Sequence, residues 1–300
     1  MQTASIYTLS TKWISILSVL FMLCIWANKA LAQRFTYTPI ASGCNGAWGT
    51  AACWTRTILN LPAGCTGQHP SPPPFNSTLN RGCQIEVVIN SNLTITGNVT
   101  LGGHFSKLTI ANGATLTING NLYFQTGSNV TVETFDRGRL RVQGGSGILM
   151  DKNSSLTVTG DETGRIDANE IDFDNGAVLS INPGGAMFIA GETKLSGQDV
   201  IMNILGLYRT NEIDIAGKAT LNMNSPGMLL VENRFKMQGQ SSVLIRGFSI
   251  VEVGGQFQSN SNQITLEVEP TSKFYVCGGI FNPDSVPPAV RAEIEEGAEN

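Results

Sequence analysis

Residues 87–124 read VVINSNLTITGNVTLGGHFSKLTIANGATLTINGNLYF. Five apolar–polar–apolar triplets lie in this stretch: Leu93-Thr94-Ile95, Val99-Thr100-Leu101, Leu108-Thr109-Ile110, Leu116-Thr117-Ile118 and Leu122-Tyr123-Phe124. Alternation with a period of two is the pattern of a strand with one buried face. Gly or Asn follows each triplet within a few residues, and both tolerate the positive φ that a tight corner needs. The stretch therefore predicts strands of about four residues joined by tight turns.

The same unit recurs almost to the end of the chain and sorts into three interleaved columns. The first runs Val87, Leu108, Val130, Leu156, Leu179, Ile201, Leu221, Val243, Ile264; the second Leu93, Leu116, Leu140, Ile166, Met187, Leu207, Leu229, Ile250, Phe274; the third Leu101, Leu122, Ile148, Ile171, Leu195, Ile213, Phe235, Phe257, Ile280. Steps within a column stay between 18 and 26 residues. Three strands in such a period make one coil of a solenoid, each strand pairing in parallel with its counterpart one coil away. Nine coils stacked at about 4.8 Å give a rod of roughly 40 Å. Crossovers between parallel strands are right-handed on steric grounds, so the expected fold is an all-β, right-handed parallel β-helix over residues 85–280.

Composition agrees with one elongated, turn-rich domain. Glycine contributes 33 residues and charged side chains only 14%, while 41% apolar content is enough for a continuous core. Of 300 residues, 19 are Lys or Arg and 23 are Asp or Glu. That balance gives no electrostatic pull toward nucleic acid or anionic lipid.

Residues 1–32 read as an export signal. Lys12 precedes the apolar run Trp13 to Trp26, and Ala30-Leu31-Ala32 forms a small-x-small cleavage site before Gln33. An uncleaved anchor is the competing reading, but the run is shorter than the roughly 20 residues a span needs. The expected location is secreted or cell-surface, with no membrane span once the signal is removed.

Residues 33–84 differ in composition. They carry Cys44, Cys53, Cys65 and Cys83, Trp48 and Trp54, and the rigid loop His69-Pro70-Ser71-Pro72-Pro73-Pro74, without the triplet pattern. A parallel solenoid exposes unpaired backbone and apolar side chains at its first coil, and this segment is the expected cover. Export permits disulfides, and pairing of Cys44 with Cys53 and of Cys65 with Cys83 is the preferred one of three connectivities. A zinc site is disfavoured because no Cys-x-x-Cys spacing occurs. At the other end, residues 281–300 leave the pattern, and the acidic stretch 289–296 after Pro287-Pro288 is either a short cap on the last coil or a frayed end. Cys277 is left without an internal partner in this scheme.

Gly46-Ala47-Trp48, Cys53-Trp54, Ile85-Glu86-Val87-Val88-Ile89 and Asn112-Gly113-Ala114-Thr115-Leu116-Thr117-Ile118 resemble the opening of secreted β-helix surface proteins of the Bacteroidetes and, more loosely, G8-type domains. The resemblance spans most of residues 44–125. It implies an exported, surface-associated solenoid, commonly of adhesive or unknown role, and carries no catalytic residues.

Two features could carry function. The acidic run Asp161-Glu162, Asp167, Glu170, Asp172, Asp174 lies near Arg137, Arg139, Arg141 and Arg165 in sequence. Outward carboxylates such as Asp167, Asp172 and Asp174, with Arg165, could bind calcium and run polysaccharide β-elimination or hydrolysis. The blander reading is a solvated face of charge pairs. No Gly-x-Ser-x-Gly or phosphate loop occurs, and His69 and His104 are the two histidines. Asn-x-Ser/Thr triplets at Asn76, Asn92, Asn98, Asn129 and Asn153 are expected from composition alone.

The second feature is a stripe. With Leu93 and its successors inward, the next residues of the second column face out: Thr94, Thr117, Arg141 and Asp167, then Phe188, Tyr208, Leu230, Val251 and Tyr275. Five apolar residues in succession mark an interaction face. Phe188, Tyr208 and Tyr275 are its expected binding residues, stacking on sugar rings or on a partner's apolar side chains. Coverage by the tail from Phe281 onward, or by a second copy, is the alternative. The leading function is thus a non-enzymatic surface, matrix or adhesion component that binds glycans or proteins, with no metal and no cofactor; calcium enters only under the lyase or hydrolase alternative.

Overall fold

The computed structural model describes residues 33–39, 54–58, 83–102 and 105–296. It is a parallel β-solenoid of about eight turns with almost no helix. Side chains alternate buried and outward along nearly every strand, as in Leu93-Thr94-Ile95 and Leu122-Tyr123-Phe124, where the triplets of the sequence set the pattern. The cysteines Cys44, Cys53 and Cys65, the signal stretch and His104 lie outside the described residues, as does the side chain of Cys83.

Among the described residues the strands assemble into two sheets, one of 11 and one of 16 strands. The first sheet is a single ladder from Cys83–Ile89 through Phe105–Ile110, Asn129–Thr134 and onward to Thr265–Val268, parallel throughout. Its amino-terminal edge is extended by Gln33–Pro39, parallel to Cys83–Ile89, and closed by Trp54–Ile58, which runs antiparallel. Trp54 is buried against the first turns. A large indole there shields apolar side chains that the first turn would otherwise expose.

The second sheet holds two ladders. One, here the second ladder, runs from Leu93–Ile95 through Thr115–Ile118, Arg139–Val142 and Arg165–Ala168 to Lys273–Val276. The third ladder starts at Val99–Leu101 and passes through Leu122–Phe124, Ile148–Met150 and Ile171–Phe173. Both then enter the long strands Ala186–Leu195, Leu207–Ile215 and Met228–Met237, with register shifts between Ile189 and Glu192 and between Thr210 and Glu212. In these turns the strand expected in the third column is continuous with that of the second.

Inside, aromatic rings gather in the later turns. Phe235 and Phe257 stack with ring centroids 5.9 Å apart, and Phe274 meets both edge-on at 5.2 and 6.0 Å, geometries that suit the ring quadrupoles. Corner asparagines tie successive turns together: Asn92 Oδ1 accepts from the Thr115 amide at 2.8 Å, and Asn98 Oδ1 from the Asn121 amide at 2.9 Å. The tail closes the far end. Val286, Val290 of the helix Pro288–Ala292, and Ile294 are all buried in the core, and Glu295–Glu296 adds in parallel to Lys273–Val276.

The observed registers correct several positions of the expected columns. In the first ladder Leu108 pairs with Val132, not Val130, and Val243 with Leu266, not Ile264. In the third, Val99 rather than Leu101 meets Leu122, and Thr193 rather than Leu195 meets Ile171. Displacements of two residues leave the buried face unchanged. Displacements of one do not: Met202, Tyr208 and Val251 are the inward residues, where Ile201, Leu207 and Ile250 were expected.

Candidate binding face on the second ladder

Tyr208 and Val251 are fully buried, so neither belongs to an outward stripe. The reason is register. Tyr208 is the ladder neighbour of inward Met187 and inward Leu229, and Val251 that of Leu229 and Phe274. The Tyr208 hydroxyl lies 2.7 Å from Thr193 Oγ1, which lies 2.9 Å from Thr210 Oγ1, and Thr210 donates to the Glu212 carbonyl at 2.8 Å. A buried tyrosine is tolerable only with such a partner. Burial holds the Tyr208 phenol well above the ordinary tyrosine range.

What faces out along the second ladder is two parallel rows. One contains Arg141, Asp167, Phe188, Arg209, Leu230, Glu252 and Tyr275 in direct register. The other contains Arg139 and Arg165, then Leu207, Met228, Ile250 and Lys273, with Ala186, at the same phase, buried. An exposed apolar stripe therefore exists, but at two of its expected positions the outward residue is the one before: Leu207 stands outside in place of Tyr208, and Ile250 in place of Val251. Met228 is 37% exposed and Ile250 36%, and Phe248, at the corner before Ile250, is 74% exposed. Tyr275, outward as expected, is 36% exposed.

Toward the amino-terminal side the face turns polar. A shallow cavity of about 320 Å³ is walled by Arg139, Arg141, Asn169, Phe188, Arg209 and Glu232, with Asp167 on its floor. The Asp167 carboxylate bonds Arg139 Nε, and Arg165 Nε sits 3.1 Å from its other oxygen. Arg165 also places its guanidinium carbon 4.8 Å from the centre of the Phe188 ring, a cation–π contact. Arg209 holds Glu232 through Nε at 2.7 Å and a terminal nitrogen at 2.5 Å. Arg141 is exposed and makes no ion pair among the described residues.

The acidic run of the sequence is not gathered at one place. Asp161 sits at a corner, where it accepts from the Asp136 amide at 2.7 Å, the Thr163 hydroxyl at 2.7 Å and the Thr163 amide at 3.1 Å. These donors, the Asp136 amide first, hold its carboxyl down at about 2. Asp167 belongs to the second ladder, while Asp172 is on the third, beside Lys194. Burial pushes the Asp172 carboxyl up, partly offset by Lys194. The Lys194 ammonium is itself shared, 3.2 Å from Glu192 and 3.8 Å from Glu170. Asp174 turns to the Asn175 amide at 2.6 Å. Among the described residues no three His, Cys, Asp or Glu side chains come together as a metal site would require.

Comparison with family models, curated proteins and solved structures finds no match. Among the described residues, no helix is long and apolar enough to cross a membrane. Cys277 is a free, exposed thiol. Sequence reading placed Phe188 and Tyr275 outward and noted Arg139, Arg141 and Arg165 near Asp167, but it passed over Arg209 and Glu232. Their only local signal is position: each sits beside a residue pair whose phase the sequence leaves open.

Proposed function

We propose that this protein is an exported, non-enzymatic β-solenoid, a surface, matrix or adhesion component that holds glycans or other proteins on the outer face of its second ladder. The observation that supports this most is the cavity around Phe188, where an aromatic ring and several guanidinium groups share one wall of a rigid rod beside a row of exposed apolar side chains. Rings and guanidinium groups on a stiff scaffold bind with little ordering cost. Asp167 is held by two arginines and lies on a different ladder from Asp172, an arrangement that suits a charge-paired surface better than a pair of cooperating carboxylates.

The reading includes a right-handed, three-sided coil, favoured by crossover sterics, and a cap over residues 33–84 stapled by disulfides among Cys44, Cys53, Cys65 and Cys83, as export would permit. It also includes secretion through residues 1–32 and the kinship with Bacteroidetes surface solenoids that the sequence motifs resemble. A second copy of the chain is the natural protein partner for the apolar row Leu207, Met228, Ile250. Nucleic acid is not a partner in this reading, since the chain carries a net charge of −4.

The test is a glycan array probed with the wild-type protein and with Phe188→Ser and Tyr275→Ser variants. Binding that either substitution weakens, at unchanged melting temperature, supports the reading. A parallel incubation with acidic polysaccharides and calcium is followed by absorbance of unsaturated products. Sustained product formation would replace the binding reading with the lyase one, whose acidic residues would be Asp167, Asp172 and Asp174 with Arg165.

A further inference from the structure

Arg139 and Arg165 are direct ladder partners, so two like-charged side chains spring from adjacent strands about 4.8 Å apart, an arrangement that is destabilising by itself. Asp167 relieves it by giving one carboxylate to both guanidinium groups. Arg141 is the direct ladder partner of Asp167, yet both oxygens of that carboxylate are already engaged. Two guanidinium groups thus hold one carboxylate, while Arg141 is exposed at the cavity wall and makes no ion pair among the described residues. Across the cavity, Arg209 and Glu232 balance each other.

The neutral groups of the wall complete the picture. Asn169 commits its amide nitrogen to the Gln143 and Gly144 carbonyls, at 3.2 and 2.9 Å, which fixes the side chain and leaves its oxygen able to accept from a hydroxyl. Phe188 has one face against Arg165, so that face is not a bare platform for a sugar ring. Its remaining edge supplies apolar contact only. The strongest directional interaction the cavity can offer is therefore a planar, charge-assisted fork from Arg141 to an anion.

We propose that the cavity between Arg141 and Phe188 is a subsite for an anionic sugar residue, a uronate carboxylate or a sulfate ester, within a larger glycan. The proposal rests on the glycan-binding reading above and narrows it. The anion meets Arg141, a ring hydroxyl donates to Asn169, and the carbon skeleton lies along the free edge of Phe188.

The experiment is isothermal titration of the full-length protein with polygalacturonate, heparin and neutral dextran, each at low and at physiological salt. Three variants accompany the wild type: Arg141→Gln, Arg141→Lys, and the control Arg246→Gln, which removes an exposed charge at a corner far from the cavity. The expected result is binding of at least one polyanion, weakened by salt, with dextran bound far less. Arg141→Gln should weaken binding by about tenfold or more, as loss of a charge-assisted fork does. Arg141→Lys should fall between, because an ammonium keeps the charge but not the fork. Arg246→Gln should bind like the wild type. Polygalacturonate carries carboxylates alone and heparin carries both groups, so binding of polygalacturonate points to the carboxylate and binding of heparin without polygalacturonate points to the sulfate. If dextran binds as tightly as the polyanions and Arg141→Gln is silent, the anionic subsite is overturned while the glycan reading survives. If Arg246→Gln costs as much as Arg141→Gln, the attraction is diffuse and the subsite is likewise overturned. If none of the three polymers binds, the glycan reading and the subsite both fall.

Discussion

Tyr208 offers the sharpest check on the architecture, because the sequence places it on the surface and the structure places it in the core. Its environment fixes the direction of a hydrogen-bond chain. Thr210 Oγ1 donates to the Glu212 carbonyl, which can only accept; its remaining role toward Thr193 is therefore as acceptor, and Thr193 in turn accepts from the Tyr208 hydroxyl. Tyr208→Phe removes only the terminal donor and should cost about 1 kcal/mol. Tyr208→Ser removes a fully buried ring and should cost about 3–5 kcal/mol, as large-to-small core substitutions do. Thr193→Val strands the phenol without an acceptor and should cost about 1–3 kcal/mol.

For a chain of this size 1 kcal/mol corresponds to about 2–4 °C in melting temperature. Tyr208→Phe should therefore melt a few degrees early and Tyr208→Ser on the order of 10 °C early. Combining Tyr208→Phe with Thr193→Val should cost less than the two apart, since each removes the same bond. Thermal melts followed by far-ultraviolet circular dichroism measure all of these. The phenol adds a pH arm. A pKa raised by burial makes its contribution complete below the ordinary value of about 10 and progressively lost as pH rises above it, so alkaline unfolding should begin there. A Tyr208→Ser protein that melts like the wild type but loses ligand binding would put Tyr208 back on the surface and refute the register.

Three further outcomes follow from the same geometry. Asp161, held at about 2 by the Asp136 amide and the Thr163 hydroxyl, contributes stability that is complete above its ordinary value of 3.8 and lost as pH falls through about 2; an acid titration of the melting temperature should therefore be flatter for Asp161→Asn than for the wild type over that window. Asp172, raised by burial, works the other way: its charge costs stability once pH exceeds 3.8, so Asp172→Asn should be at least as stable as the wild type at pH 7 and lose that advantage in acid, which urea melts at the two pH values would show. Trp54→Ala should cost about 3–5 kcal/mol and open the first turn, giving concentration-dependent aggregation in light scattering; a monodisperse variant melting like the wild type would deny the indole its sealing role.

The solenoid was legible because its signal is local and repeated. A triplet such as Leu116-Thr117-Ile118 carries its own inward face, and the turn residues around it carry its length. Phase failed where alternation failed. At Ile201-Met202, Leu207-Tyr208 and Ile250-Val251 two apolar residues stand side by side, so either can point inward, and the choice is made by neighbours some 20 residues away in sequence through the parallel ladder. For Tyr208 the choice of Leu207 as the inward residue put the ring outside, while an acceptor on Thr193 made the interior acceptable. The site was less legible for the same reason. Asp167 gathers Arg139 and Arg165 from two different turns, and Arg209 finds Glu232 in the next, pairings that only the stacking of turns brings about.

The apolar row, by contrast, survives the phase error, and the reason bears on function. Where two adjacent residues are both apolar, one must face outward whichever way the strand is set. Leu207 and Ile250 replace Tyr208 and Val251 on the outside, in the neighbouring row, while Leu230 keeps its place. Such doublets crowd into the turns from Leu207 onward, whereas Arg139, Arg141 and Arg165 occupy the outward positions of earlier turns. The outer face of the second ladder thus gathers three arginines in its earlier turns and its exposed apolar side chains in its later ones, where Arg209, Glu252 and Lys273 stand among them. From Arg141 to Tyr275 the ladder advances six strand spacings, about 29 Å at 4.8 Å each. A ligand that touches both parts must be an extended chain, and a short one must settle on a single part. An acidic polysaccharide with apolar ring faces meets both requirements with one repeating chemistry, which a compact ligand of either character alone does not.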